Sequence, residues 1–301
     1  MSTTPVATRP PRAWRRVSLL PRTRRDRRAL VLLAPAVLAL LALFAYPVAA
    51  MLLRSVRDDA GGLSLDWYRE ALSGANGKIF LTTFRISLEV ALASLVLGFP
   101  LAYFLSRLRP TIAGVLMVLV IVPHFVSALV RTFGWMILLG DDGVVNNALQ
   151  ALHVPGAPFQ LLYNEAGVLI GMTYIMLPYA VLTLYAVMRN VDLRLLDAAA
   201  SLGAGRVTAF RRVYLPQVLP GVVAVLLLSF VIAFGFYLTP ALMGGTEQTV
   251  IATVIDDEVL SQARWNLAAA LSGALLVATL LVLAVINRIV PLRKLIFGSV
   301  S

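Results

Sequence analysis

The residues whose types and spacing could do chemistry lie mainly in one polar stretch, residues 197–216, between two long apolar runs. Asp197 opens a run of strong helix formers, Gly203 interrupts it, and Leu215-Pro216 closes the stretch. A membrane span needs none of these features. The pattern predicts a short helix, a glycine turn and a second, basic helix over 206–214 on the membrane surface. On these residues alone, the stretch would be an ordinary amphipathic interfacial loop.

Catalytic chemistry is not indicated by the sequence. The chain has no cysteine, and its two histidines, His124 and His153, have no carboxylate at metal-ligand spacing. A Walker phosphate loop is also missing, because no Gly-Lys-Ser/Thr occurs. We therefore expect no enzyme activity, no catalytic residue, no metal and no cofactor in this chain. If the protein uses ATP, the energy must come from a partner.

Two charged residues interrupt the second apolar run, and ionisable groups within a membrane often mark a solute pathway. Arg85 and Glu89 are four residues apart, so they share one helical face and can pair. Two interpretations remain open. The pair is an ion pair at the outer membrane surface, or Glu89 faces a path for a cationic solute.

Acidic and aromatic residues near the predicted span ends supply further candidates. A flexible cation would bind carboxylates and aromatic faces. The acids Asp141 and Asp142 follow an apolar segment, and the aromatic faces would come from Trp135, Tyr174, Tyr179, Phe234 and Tyr237. The predicted pathway residues are Glu89, Trp135, Asp141, Asp142, Tyr174 and Tyr237. The alternative is that these acids are polar residues of outer loops and the aromatics belong to a membrane-interface belt.

The composition indicates an all-α, multi-pass membrane protein. The 301 residues are 59% hydrophobic and 14% charged, with a mean hydropathy of +0.85. A helix needs about 20 apolar residues to span a bilayer, and six runs are long enough: 30–53, 80–105, 112–129, 167–188, 221–242 and 267–290. We predict a basic cytoplasmic tail over 1–29, a transmembrane domain over 30–290 with a cytoplasmic loop at 189–219, and a C-terminal tail over 291–301. Interruptions are expected at 98–100, Pro178 and Pro240.

The net charge of +11 suggests nucleic acid as a partner, but its distribution argues against that. If the N-terminus lies inside, nineteen of the 26 Lys and Arg residues fall on the inner side, with only three acids. Such an excess predicts two cytoplasmic termini and a secondary attraction to anionic membrane lipids. The first apolar run follows an Arg-rich segment, as in a signal peptide. It exceeds the usual signal core of about 7–15 residues, so we predict a retained span.

The polar stretch resembles the cytoplasmic coupling loop of ABC importer permeases. The family pattern is Glu-Ala-Ala, three variable residues, Gly, nine variable residues, then an apolar residue, a variable one and Leu-Pro. This chain departs from it by an Asp in the first position. The resemblance implies docking on a cytoplasmic ABC ATPase dimer through Asp197, Ala198, Ala199, Gly203, Leu215 and Pro216.

Three other segments, residues 130–140, 169–178 and 239–245, resemble permeases of polyamine ABC importers. With the coupling loop, the resemblance extends from about residue 80 to residue 290. It implies the type I importer permease fold with six transmembrane helices in a bacterial inner membrane. It also implies a second permease subunit that is a different chain, and an extracytoplasmic substrate-binding protein.

The sequence therefore predicts a permease subunit of an ATP-driven ABC importer that moves spermidine or putrescine into the cytoplasm by alternating access. One alternative is an ABC permease for another small organic or inorganic solute. The other is an ion-coupled secondary transporter, which would not need a docking loop and usually shows internal repeats. No repeat is visible between the two halves of this sequence.

Overall fold

The structure is a computed structural model, and it describes residues 24–58 and 61–289. Within these residues the protein is helical, and the β-type pairing consists of one isolated bridge between Arg57 and Leu63. Residues 1–23 and 291–301 of the predicted tails lie outside the described part of the chain. The predicted all-α class is confirmed.

The helices differ widely in length. The long ones are α1 (Arg24–Ser55), α3 (Gly74–Arg107), α7 (Glu165–Met188), α10 (Leu215–Phe234) and α13 (Trp265–Ile289). The shorter ones are α2 (Asp66–Leu72), α4 (Pro110–Ile121), α5 (Ala128–Leu139), α6 (Val144–Ala151), α8 (Arg194–Ser201), α9 (Arg206–Ala209), α11 (Leu238–Met243) and α12 (Ile251–Leu260). In the described residues, five helices are long and apolar enough to cross a membrane, and a bent pair makes a sixth candidate.

By internal packing the chain divides into two compact units, Met1–Ala50 and Met51–Ser301. In the first unit, α1 is helical from Arg24 onward and contains Pro35 and Pro47. In the second unit, α3, α7 and α10 pack against one another most extensively. Their shared core is built from small and branched side chains, among them Ala102, Ala180, Leu184, Val218 and Val225. These three helices form the frame of the second unit.

The predicted interruptions of the second and fourth spans at 98–100 and Pro178 are wrong. Helix α3 runs through Gly98 and Pro100, and α7 runs through Pro178. Gly98 is required for close packing, because a Cβ atom there would lie 2.9 Å from the Cβ of Ala180 on α7. Tertiary packing therefore holds both helices together across residues that, in isolation, favour a break.

We expect Gly98→Val to lower the melting temperature of the purified chain in detergent by several degrees, because it overpacks the contact between α3 and α7 at a cost of about 1–3 kcal/mol. Gly114→Val is the matched control. It makes the same change within a helix, where a Cβ atom meets nothing within 4 Å among the described residues. Melting followed by size-exclusion chromatography checks the difference, and equal melting temperatures for the two variants would contradict the packing argument.

The predicted third span, 112–129, is wrong at its outer end. Helix α4 passes into a 3₁₀ turn, Val122–Phe125, and the chain then bends by 98° into α5. The bend has a backbone cause, since Pro123 lacks an N–H and both Val126 and Ser127 take extended ψ angles, 140° and 138°. The apolar pattern continues across this bend, so hydrophobicity alone does not reveal it.

The predicted fifth span, 221–242, is wrong at both ends. The membrane helix extends from Arg206 to Phe234, so it includes the segment expected to lie on the membrane surface as a separate helix. A π-helical turn, Phe210–Tyr214, joins α9 to α10 just before Pro216. The chain leaves the helix at Gly235, and Pro240 lies in the separate helix α11.

Candidate coupling surface and solute pathway

The predicted first helix of the polar stretch is α8, and its ends are closed by local hydrogen bonds. At its start the Oδ1 atom of Asp192 accepts from the backbone N–H of Arg194 at 3.0 Å. Asp197 lies in the first turn and is exposed, where its charge suits the positive end of the helix. Asp192 therefore bonds the first backbone N–H of α8, and the exposed carboxylate of Asp197 is open to a partner.

Gly203 ends α8 in the left-handed conformation, with φ +84°. Its N–H donates to the carbonyl of Ala200 at 2.9 Å, and the N–H of Ala204 donates to that of Ala199 at 3.0 Å. This pair of bonds is the Schellman motif, which favours glycine because a Cβ atom raises the energy of positive φ. The predicted glycine stop is confirmed.

The loop around α8 exposes apolar side chains. The exposed fraction is 90% for Leu202, 71% for Val207 and 47% for Leu195. Apolar groups next to exposed charges are typical of a surface that another protein covers. Of the other predicted coupling residues, Leu215 is half-buried and Pro216 is exposed at the start of α10.

An aromatic cluster joins this loop to α3. The rings of Phe210 and Tyr214 in the π turn stack at 5.3 Å, and Tyr103 of α3 meets Tyr214 edge-on at 5.4 Å. Tyr214 is fully buried. Nearby, Arg189 at the end of α7 donates to the backbone carbonyls of Ser106 and Leu108, at 2.9 and 3.1 Å. The loop is thus attached to the ends of α3, α7 and α10 together, a linkage that no local sequence pattern indicated.

Near the other end of α3, one arginine lies between two acids. The Nη2 atom of Arg85 donates to Glu165 at 2.9 Å, and its Nε atom lies 4.0 Å from Glu89. The Oε2 atom of Glu89 is buried and lacks a hydrogen-bond partner within the described residues. The predicted pair of Arg85 and Glu89 is thus present, but it is the longer of the two contacts that Arg85 makes with acids. Sequence reasoning missed Glu165, whose only local signal was its place beside Asn164, the N-cap of α7.

The other predicted pathway residues lie in separate places. Trp135 of α5 and Tyr174 of α7 meet edge-on, with ring centroids 5.3 Å apart. Asp141 and Asp142 are exposed in the turn between α5 and α6. Tyr237 is 45% exposed, in the break between α10 and α11. The structure therefore joins the aromatic pair directly and leaves the two aspartates on an exposed turn.

A further polar group, which the sequence did not predict, lies where α4 bends. The Nη1 atom of Arg131 is 3.3 Å from the Nδ1 atom of His124, and the Nε2 atom of His124 is 2.9 Å from the hydroxyl of Tyr179. Because arginine can only donate, Nδ1 accepts and Nε2–H donates to Tyr179. This chain of hydrogen bonds holds the bend against α7.

The third and fifth spans, which are both interrupted, contact each other. The hydroxyls of Thr132 on α5 and Thr239 on α11 are 3.4 Å apart and buried. Gly171 of α7 allows this contact, since a Cβ atom there would lie 2.8 Å from Thr239 and 2.9 Å from the sulfur of Met243. Interrupted membrane helices leave backbone groups unpaired, and such breaks commonly line solute paths.

This arrangement of a three-helix frame, two interrupted spans and a short exposed helix is the fold of ABC importer permeases. The structure of a bacterial ABC transporter involved in the import of the acidic polysaccharide alginate matches it with a TM-score of 0.74 at 19% identity, covering 88% of this chain and 95% of that one. The chain belongs to the family described as the binding-protein-dependent transport system inner membrane component, whose profile matches residues 94–293.

Curated relatives agree with this assignment. The spermidine/putrescine transport system permease protein PotB of Escherichia coli K12 is 35% identical over 236 residues, covering 77% of this chain and 86% of that protein. PotB of Haemophilus influenzae is 30% identical over 226 residues, covering 75% and 79%. The chain is thus a multi-pass inner-membrane permease subunit of an ABC importer, and its role is transport rather than catalysis.

Proposed function

We propose that this permease imports polyamines of the spermidine and putrescine type, taking them from an extracytoplasmic binding protein and using ATP hydrolysed by a cytoplasmic ATPase dimer. A second permease subunit, a different chain, completes the membrane pathway. The observation that carries the energy-coupling part is the exposed helix α8 with its left-handed stop at Gly203. The polyamine part is supported by relatives at 30–35% identity that carry that substrate in their names.

The attachment of α8 supports a coupling role for the loop. A partner that displaces α8 also moves the π turn, because only the turn at Gly203 and the four-residue helix α9 lie between them. The stacked Phe210 and Tyr214 then pass the displacement to Tyr103 of α3. Asp197, Ala198, Ala199 and Gly203 form the docking part, and Leu215 and Pro216 begin the helix that responds.

The acids around Arg85 support a cationic substrate. Glu89 and Glu165 share one guanidinium, so the three side chains together carry a net negative charge when both carboxyl groups are ionised. An ammonium group of a polyamine can replace the guanidinium as their counter-ion. Trp135 and Tyr174 add aromatic faces, to which cations are also attracted.

The substrate assignment is tested with the complete importer in proteoliposomes. The complex contains this chain, the second permease, the ATPase and the binding protein. We expect ATP hydrolysis to rise when spermidine or putrescine is added with the binding protein, and labelled spermidine to accumulate inside. Stimulation by a different solute, with none by polyamines, would replace the polyamine assignment and leave the importer class intact.

We also propose that both termini and α8 lie in the cytoplasm, which the excess of Lys and Arg on that side supports. Single cysteines in this cysteine-free chain test the orientation. In intact cells with a permeable outer membrane, an impermeant thiol reagent should label Leu63→Cys and Leu260→Cys but not Ser201→Cys or Leu202→Cys. All four native side chains are exposed, so the rest of the chain leaves each of the four cysteines accessible to the reagent. Labelling of positions 201 and 202, with positions 63 and 260 protected, would indicate the opposite orientation and contradict the proposal.

A further inference from the structure

A cavity of about 480 Å³ opens between α8, the end of α3 and the start of α9. Its walls are mostly apolar, with Leu196 and Ala200 on α8 facing Val207 and Phe210. The proposed coupling contacts use Tyr103, Val207 and Phe210 from its lining but leave the space between them unfilled. An open apolar cavity in this position can take an apolar ligand, because the removal of apolar surface from water is favourable.

Two arginines line this cavity, and each lies at the end of a candidate membrane span. Arg107 is the last residue of α3 and Arg206 is the first residue of α9, so each lies where an apolar span ends. Among the described residues neither forms an ion pair with an acid. Two cations without acidic partners next to an apolar cavity favour a ligand that has one anionic end and one apolar end.

The Arg107 side chain is held in place before any ligand binds. Its guanidinium lies 4.8 Å from the ring centre of Tyr103 and 5.6 Å from that of Tyr214, and it donates to the Tyr103 hydroxyl at 3.2 Å. Arginine has five N–H donors in a planar fork, so donors remain for a phosphate. The cost of ordering a long side chain on binding is thereby reduced.

We propose that this cavity binds one anionic phospholipid of the adjoining leaflet, with its phosphate between Arg107 and Arg206 and part of an acyl chain against Val207 and Phe210. A free phosphate would fill only the polar edge and leave the apolar walls open. A zwitterionic lipid would fill the walls, but its own cation would oppose the two guanidiniums.

The proposed lipid would also affect α8. One wall of the cavity is the face of α8 that carries Leu196 and Ala200, so an acyl chain there braces α8 against α3 and α9. This consequence depends on the proposed coupling role of α8, whereas lipid binding itself does not. Binding is therefore measured on the permease alone, and coupling is measured separately on the complete importer.

The experiment uses the full-length chain in nanodiscs of phosphatidylcholine with about one fifth phosphatidylglycerol, an amount that gives a strongly charged surface. Native mass spectrometry then counts the lipids retained after extraction. We expect one phosphatidylglycerol per chain to resist extraction in the wild type. The Arg107→Gln/Arg206→Gln variant should bind it about tenfold more weakly. Val207→Trp, which fills the cavity and keeps both charges, should also lose it.

The matched control is Arg109→Gln/Arg211→Gln, which removes the same charge from exposed arginines outside the cavity. It should retain the lipid.

Three results would overturn the proposal. These are equal retention in the control and both cavity variants, equal retention of phosphatidylcholine, and displacement of the lipid by millimolar inorganic phosphate. Expulsion of the lipid on adding the ATPase would assign the cavity to the protein interface instead and would also overturn it.

Discussion

We expect Gly203→Asp to leave the permease in the membrane, to reduce co-purification of the ATPase strongly and to abolish uptake. The Cβ atom of a new side chain at this position meets nothing within 4 Å among the described residues, so the change does not disturb packing within the chain. The effect has two sources. A non-glycine residue at φ +84° costs about 1–2 kcal/mol and loosens the end of α8, and the carboxylate enters the surface that contacts the ATPase.

Gly205→Asp is the matched control, since it adds the same charge two residues away. Gly205 is equally open but has φ −64°, which any residue adopts. Gly203→Asn, which tolerates positive φ better, should fall between the two. Asp197→Ala should reduce ATPase co-purification and uptake less than Gly203→Asp, because a charge in the first turn contributes only about 0.3–1 kcal/mol to helix stability. Full ATPase binding and stimulated hydrolysis in Gly203→Asp would refute the coupling role of the loop.

We expect the double substitution Glu89→Gln/Glu165→Gln to reduce uptake of labelled spermidine at least about tenfold, with normal amounts of permease in the membrane. Both carboxylates are lost, and Arg85 is left as an unpaired positive charge that repels a cation. Opposite charges about 4 Å apart near a protein surface attract by about 4 kcal/mol, so a loss of 1.4 kcal/mol, or one factor of ten, is conservative. The single substitution Glu165→Gln should reduce spermidine uptake more than Glu89→Gln, because the contact of Glu165 with Arg85 is the shorter one.

Glu70→Gln is the control for this prediction. Glu70 also pairs with an arginine, Arg264, and has a similarly exposed side chain, but the pair lies between α2 and the segment before α13. Its loss should leave uptake near the wild-type rate. Asp141→Asn/Asp142→Asn should have a smaller effect than the glutamate pair, because both aspartates lie on an exposed turn. Unchanged uptake in the glutamate double variant would remove these residues from the pathway.

The parts of the fold that the sequence predicted are those set by local chemistry. Continuous apolar runs predicted α3, α7 and α13, since a membrane helix satisfies its own backbone. Gly203, placed after a run of strong helix formers, predicted a stop that the backbone confirms at φ +84°. The ends of the third and fifth spans were not predicted, because the chain is equally apolar before and after each break.

The candidate sites were less predictable, since they depend on contacts between distant residues. Glu165 and Arg85 are eighty positions apart and meet only because α3 packs along α7. Tyr103 and Tyr214 come from different spans, and neither has a local pattern that marks it as part of a cluster. The sequence indicated no partner for His124, yet its ring forms hydrogen bonds with Arg131 and Tyr179.

Helix α3 has 34 residues, and at 1.5 Å per residue it is about 50 Å long, against about 30 Å for the hydrocarbon core of a bilayer. Arg85 and Tyr103 lie on this one helix, about 27 Å apart along its axis. Helix α3 is continuous over this distance, whereas the third and fifth spans have joints near residues 126 and 235. We therefore expect a displacement of α3 at Tyr103 to move Arg85 as well, while the two interrupted spans bend at their joints.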